Sequence, residues 1–207
     1  MSAEEYLPAR RDSIAALRSA AEHCEGCDLY KKATQTVFGQ GKSRNPDIML
    51  VGEQPGDVED RTGVPFVGPA GSLLDQGLEA VGLDRDLAYV TNVVKHFKWE
   101  RQGKRRLHKN PSAREVAACR PWLMAEIEVT RPKVVVCLGA IAARALLGDS
   151  FRVTKQRGEM FPGPHDCLVS ATLHPASILR IRDREDRRVA FDRFVDDLRL
   201  AVGYAGR

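Results

Sequence analysis

Residues 133–148 read KVVVCLGAIAARALLG, and this stretch decides the fold class. Its first half is a short apolar run rich in β-branched residues, the pattern of a strand buried on both faces. Gly139 ends the run, and AIAARALL then carries helical apolar spacing up to a stop at Gly148. Strand, turn and helix in immediate succession form half of a βαβ unit. The same alternation continues outward. DIMLVG (47–52) is a second buried strand, followed by a Gly/Pro loop over 53–70 and by LLDQGLEAVGL (73–83) with helical spacing. AYVTNVV (88–94) and CLVSATL (167–173) are further strands, and 183–202 is a charged amphipathic helix. Ser112 with Glu115 forms a capping-box pattern for a helix that runs to about Glu128. Upstream, Ile14, Leu17 and Ala21 mark a short first helix. These segments predict one α/β domain over 1–207, a three-layer α/β/α sandwich around a central, mainly parallel four-stranded sheet.

The chain has 207 residues, 43% hydrophobic and 29% charged, which suits a single core and excludes a disordered tail protein. Net charge is only +4, but it is unevenly distributed. Between Lys95 and Arg120 stand nine Lys/Arg against Glu100 and Glu115, so this stretch is +7 and the remainder −3. A polar, Gly-interrupted basic loop is expected over about 98–111. No run is long and apolar enough to span a bilayer, and the acidic N-terminal segment lacks the apolar core of a secretory signal, so a cytoplasmic protein is expected.

Five cysteines in a reducing compartment point to ligands or buried thiols rather than disulfides. Cys24 and Cys27 have the C-x2-C spacing that lets two thiolates share one metal or cluster. Cys137 and Cys167 sit in predicted strands and read as packing thiols. Cys119 remains as a third ligand, and His96 is the candidate fourth. GQGKS (39–43) resembles the end of a phosphate loop, but Thr36 stands where its first Gly belongs and no apolar strand precedes it.

In a parallel sheet, ligands bind at the carboxyl ends of the strands. The segments leaving them here are Glu53-Gln54-Pro55-Gly56-Asp57, Asn92 with the basic loop, Gly139-Ala140, and His174-Pro175-Ala176-Ser177. Three of the four carry polar or ionisable groups, which predicts a functional pocket.

GEQPGD, TGVPFVGPAGSLLD, YVTNVVKH, CRPWL, LGAIAARALLG and HPASILR together resemble the family 4 iron–sulfur uracil-DNA glycosylases along nearly the whole chain. KRRLHKNPS, inserted ahead of the Cys119 helix, resembles the UdgX-type subgroup, whose members attach covalently to uracil-derived abasic DNA. Ordinary family 4 enzymes lack this insertion and usually have Cys where His96 stands. The resemblance implies a uracil-DNA glycosylase-like fold in a bacterial, nucleoid-associated monomer that acts on uracil-containing DNA and releases uracil. It also implies a [4Fe-4S] cluster held by Cys24, Cys27, Cys119 and His96, with Cys137 as the competitor for the fourth position.

Roles follow from that chemistry. A flipped base is read by its Watson–Crick edge and by stacking. Phe66 offers the stacking face, and Asn92 offers an amide donor and acceptor suited to uracil O4 and N3–H. His174 donates to uracil O2, and Glu53 supplies a carboxylate for the oxocarbenium-like sugar. Gln54 and Asp57 are grouped with the substrate contacts. His108 is the expected nucleophile, attacking C1′ in place of water. Lys104, Arg105, Arg106 and Lys109, with Ser177 and Arg180, are expected at phosphates. Two other readings stay open: a conventional multiple-turnover glycosylase, and a uracil-DNA binder without cleavage.

Overall fold

The computed structural model describes residues 2–206. In chain order the elements are α1 (Ile14–Ala21), β1 (Gln40–Gly41), β2 (Ile48–Gly52), α2 (Asp57–Thr62), α3 (Pro69–Ala80), β3 (Tyr89–Asn92), β4 (Trp99–Gln102), β5 (Arg105–His108), α4 (Ala113–Thr130), β6 (Val134–Leu138), α5 (Ala140–Leu147), α6 (Val153–Gln156), β7 (Phe161–Pro162), β8 (Leu168–Thr172), α7 (Pro175–Leu179) and α8 (Arg184–Ala205).

The sheet is six-stranded rather than four-stranded, in the order β1-β3-β2-β6-β8-β7. The four expected strands form its parallel centre. Short antiparallel strands β1 and β7 add the two edges. Two-residue strands carry no periodicity, so the sequence gives no sign of them, and Pro162 in β7 fits only an edge, where a missing N–H breaks no ladder.

Side chains alternate cleanly between the two faces. Met49, Val51, Val135, Cys137, Val169 and Ala171 face one apolar cluster, covered by α1, α4 and α5 through Leu17, Trp122 and Ala142. Ile48, Leu50, Val90, Val134 and Val136 face the other, covered by α3, α7 and α8 through Leu74, Ile178 and Phe194. Burial on both faces explains why the central strands read as continuous apolar runs. The Ser112 capping box is present, with Ser112 Oγ accepting from the Glu115 N–H at 3.3 Å.

The expected basic loop is instead a β-hairpin. β4 pairs antiparallel with β5, Trp99 opposite His108 and Gln102 opposite Arg105, and Gly103 turns the chain at φ +58°. Both strands are mostly exposed, so no apolar alternation announces them. Among the described residues, no helix is long and apolar enough to cross a membrane.

Candidate active site

From β2 the chain moves to β3 on one side and later to β6 and β8 on the other, so the sheet has a switch point between β2 and β6. Ligands of open parallel sheets bind beside such a point, at the carboxyl ends of the strands. Glu53 leaves β2, Asn92 ends β3, Gly139 follows β6 and His174 follows β8. The strand exits named from sequence therefore converge.

Glu53 is largely buried, and its Oε1 has no hydrogen-bond partner. Burial raises its pKa to about 7, opposed by the Arg180 charge. His108, at the end of β5, points back over the sheet, with Nε2 3.9 Å from Glu53 Oε1 and its ring tilted against Phe97. Burial lowers the His108 pKa, and Arg180 lowers it further, so the imidazole is neutral at neutral pH.

Gln54 takes a role the sequence did not suggest. Its Oε1 accepts from the Lys98 N–H at 3.1 Å, and its Nε2 donates to Lys109 O at 2.9 Å, clamping the base of the hairpin. The same Nε2 lies 2.9 Å from His108 Nε2. Because the Lys98 contact fixes the amide orientation, Gln54 donates to His108 and the ring proton is assigned to Nδ1. The Gln54 side chain thus holds the hairpin and the nucleophile candidate.

Arg106 is also placed differently. Its guanidinium turns inward to Asp57 and to the fully buried Asp60 (2.7 Å), and stacks over Phe97 and Trp99. Asp57 is held by Arg106 and Arg61. This pair anchors β5 to α2. Lys109 pairs with Glu100, Lys98 with Glu115 and Lys95 with Glu126. Glu100 and Glu115 are already counted within the local +7, so only Lys95 and Arg106 draw on carboxylates outside the stretch, and Arg101, Lys104, Arg105, Arg114 and Arg120 form no salt bridge among the described residues. Ser177 Oγ donates to His174 O, and Arg180 Nε donates to Ala176 O.

On the opposite wall Asn92 is buried, its Oδ1 unpartnered. Phe66 is buried beside it at φ +55°, a left-handed backbone that costs about 1–3 kcal/mol in a bulky residue. Gly52 must be glycine, since a Cβ there would run into Asn92 Oδ1 and the Phe66 ring. The Phe66 ring lies 6.1 Å from the His174 ring at 29°, nearly parallel. His174 caps α7, its Nδ1 accepting from the Ala176 N–H at 3.1 Å. This contact assigns the proton to Nε2. Burial, then Arg180, lowers its pKa to about 4, so the ring stays neutral. Sequence reasoning missed Glu59, which accepts from the Gly56 and Gly68 amides (3.0 and 2.8 Å), and Arg85, which donates to Pro65 O and Phe66 O. Neither lies in a motif; both are found only through partners on other segments.

Cys24, Cys27 and Cys119 lie close enough to perturb one another electrostatically. Cys24 Sγ accepts from Trp122 Nε1–H and Cys119 Sγ from the Lys95 N–H, both at 3.3 Å, and the Leu29 amide reaches Cys27. N–H donors aimed at buried sulfurs suit thiolates that ligate an iron–sulfur group. Burial alone pushes Cys119 up to about 12, so only a bound cation would hold it ionised. His96 faces Thr36, Nε2 to Oγ1 3.0 Å, and among the described residues no set of three or more His, Cys, Asp or Glu converges at ligating distance. The donor chemistry of the three cysteines fits an iron–sulfur group, and His96, next to the Lys95 whose amide donates to Cys119, is the candidate fourth ligand. Cys137 packs within β6, and the thiol it interacts with electrostatically is Cys167 rather than any of the three.

The profile of the uracil DNA glycosylase superfamily matches residues 38–199, spanning every strand exit described above. The chain belongs to this superfamily. It is 35% identical over 184 residues to the type-4 uracil-DNA glycosylase of Thermotoga maritima, covering 88% of this chain and 92% of that enzyme. Identity is again 35% over 176 residues to the type-4 enzyme of Sulfurisphaera tokodaii, 81% and 76% of the two chains. A DNA polymerase of Bacillus phage SP01 carries a similar segment, 33% identical over 124 residues, which covers 59% of this chain and 12% of the polymerase. Superfamily membership gives the convergent strand exits a common reading as one glycosylase-type pocket.

Proposed function

We propose that this chain excises uracil from DNA and, in the same event, joins His108 to C1′ of the deoxyribose. The observation that carries this reading is an imidazole held 3.9 Å from an unpartnered carboxylate oxygen, at strand exits that also present an unpartnered buried amide oxygen on Asn92.

Asn92 Oδ1 accepts from uracil N3–H while its amide nitrogen donates to O4; cytosine presents the opposite pattern on that edge and is refused. Phe66 covers the base face. As the C1′–N1 bond breaks, its electron pair leaves with uracil, and the Nε2–H of neutral His174 stabilises the charge at O2. The Glu53 carboxylate faces the positive charge developing at C1′. The His108 Nε2 lone pair, released from the Gln54 amide, then forms the N–C1′ bond. The alkylated ring carries one positive charge, which balances the departing uracil anion; the ring becomes neutral by giving its Nδ1 proton to solvent, and the uracil anion takes a proton up. Lys104, Arg105 and Arg180 hold flanking phosphates. Every group needed lies in one chain, which supports a monomer. A [4Fe-4S] cluster on Cys24, Cys27, Cys119 and His96 would supply structural cross-linking between the N-terminal segment and α4.

A second reading has its own support. Identity to type-4 glycosylases and the Gln54 hold on His108 Nε2 both suit a conventional enzyme in which water attacks C1′. Uracil-containing single-stranded DNA, run on a denaturing gel before and after alkali, separates the two. A band stable to heat and SDS is expected; DNA that is merely alkali-labile overturns the trapping step, and intact DNA overturns excision.

The pH dependence follows from Glu53. Its carboxylate form is the active one, so single-turnover excision should rise about tenfold per pH unit up to about 7 and level off above it. His174, lowered to about 4, is already neutral through that range, and burial and Arg180 lower His108 as well. A flat profile between pH 5 and 8 would remove Glu53 from this role.

A further inference from the structure

The wall that carries Phe66 is held in place from behind by a residue outside the pocket. Arg85, in the connection between α3 and β3, donates from Nη2 to Pro65 O at 2.9 Å and to Phe66 O at 3.0 Å. Its Nη1 is anchored on Asp75 Oδ1 of α3 at 2.5 Å. The segment it grips is unusual in two ways. Phe66 has φ +55°, a conformation that a bulky residue keeps only when its surroundings impose it. Gly71 packs so tightly on the Phe66 carbonyl that any side chain at 71 would collide with it, so the carbonyl has a single fixed direction. A cavity of about 360 Å³, lined by Val64, Pro65, Phe66 and Asp75 among others, runs along the same segment. Arg85 is part of its lining.

We infer that Arg85, braced by Asp75, is a positioning residue that fixes the Phe66 ring for stacking on the base. The inference rests on the uracil-excision reading above. Arg85 touches no reacting atom and acts only by holding two carbonyls. A guanidinium does this because its rigid fork reaches both carbonyls and a carboxylate at once. Losing it lets the 64–67 segment relax toward ordinary backbone angles, which swings the ring away from His174 and Asn92. A displacement of about 1 Å at a substrate-positioning group is enough to slow chemistry roughly a hundredfold.

The test uses the full chain and single-turnover excision on a uracil-containing oligonucleotide at several DNA concentrations. Arg85→Gln should lower the maximal rate roughly 10- to 100-fold and leave the half-saturating DNA concentration within about twofold, because phosphate contacts are untouched. Asp75→Asn, a milder variant at an exposed position, should shift the rate in the same direction by a smaller factor. Phe66→Ala should be about as slow as Arg85→Gln, and the double variant no slower than Phe66→Ala alone, since both act through one ring. Multiplicative effects in the double variant, or an unchanged rate in Arg85→Gln, overturn the positioning role. A wild-type protein that leaves uracil DNA intact overturns the excision reading and this inference together, whereas an active wild type with an equally active Arg85→Gln overturns this inference alone.

Discussion

His108→Ser should eliminate the protein–DNA species that survives heat and SDS, a drop of roughly 10³-fold or more, as is usual when a nucleophile is removed. Serine does not replace it for two reasons. Its oxygen sits closer to the β5 backbone than an imidazole nitrogen and falls short of C1′, and a hydroxyl, unlike a neutral imidazole, must give up a tightly held proton as it attacks. Uracil release has a different fate. Glu53, Asn92 and His174 lie on other strand exits and stay in place, and the volume left by the ring opens C1′ to water oriented by the Glu53 carboxylate. The variant should therefore convert uracil DNA to an alkali-labile abasic product. One gel run with and without alkali reads both results. A covalent band that persists in His108→Ser would falsify the nucleophile assignment; loss of both band and excision would show His108 to be needed for cleavage itself.

The second large effect is on stability. Glu126, fully buried in α4, accepts from the Gly39 amide (3.2 Å), Tyr89 Oη (2.9 Å), Thr91 Oγ1 (2.9 Å) and Lys95 Nζ (2.5 Å). Lys95 is equally buried and donates onward to Thr91 Oγ1 (2.8 Å) and Asn92 O (2.6 Å). Glu126→Ala leaves an ammonium and several donors without their acceptor in a place water does not reach. Breaking a buried pair on one side costs about 3–5 kcal/mol, a large share of the stability of a domain this size. In urea the midpoint should fall sharply with the slope unchanged. Lys95→Met combined with Glu126→Leu should recover part of the loss, because it removes the stranded ammonium, while the Gly39 amide and the Tyr89 and Thr91 hydroxyls still lose their acceptor. A loss under about 1 kcal/mol in Glu126→Ala would show that Lys95 finds another partner or loses its proton.

The sequence made the architecture legible where burial leaves a periodic trace. KVVVCLG and DIMLVG are apolar throughout because both faces of β6 and β2 are covered, and the helices between them show their single apolar stripe. The rule for ligand sites in parallel sheets then selected Glu53, Asn92 and His174, and the structure gathers all three at the strand exits. The same reading left β1 and β7 unseen and described 98–111 as a loop, because two-residue edge strands and an exposed hairpin leave no periodic trace.

Charge was legible as a count but not as a partner. A +7 stretch around His108 suggested a uniform phosphate-binding loop, yet Arg106 turns to Asp57 and Asp60, Lys109 to Glu100 and Lys98 to Glu115. Gln54, read as a substrate contact, binds the hairpin. The residue pattern alone yields the four central strands, their covering helices and the chemical types at their ends, because hydrophobic period and residue identity are local properties. What only the tertiary structure decided is which of those groups are already satisfied and which, like Glu53 Oε1 and Asn92 Oδ1, are left open toward a ligand. That depends on hydrogen bonds between residues tens of positions apart, whose geometry no local pattern encodes.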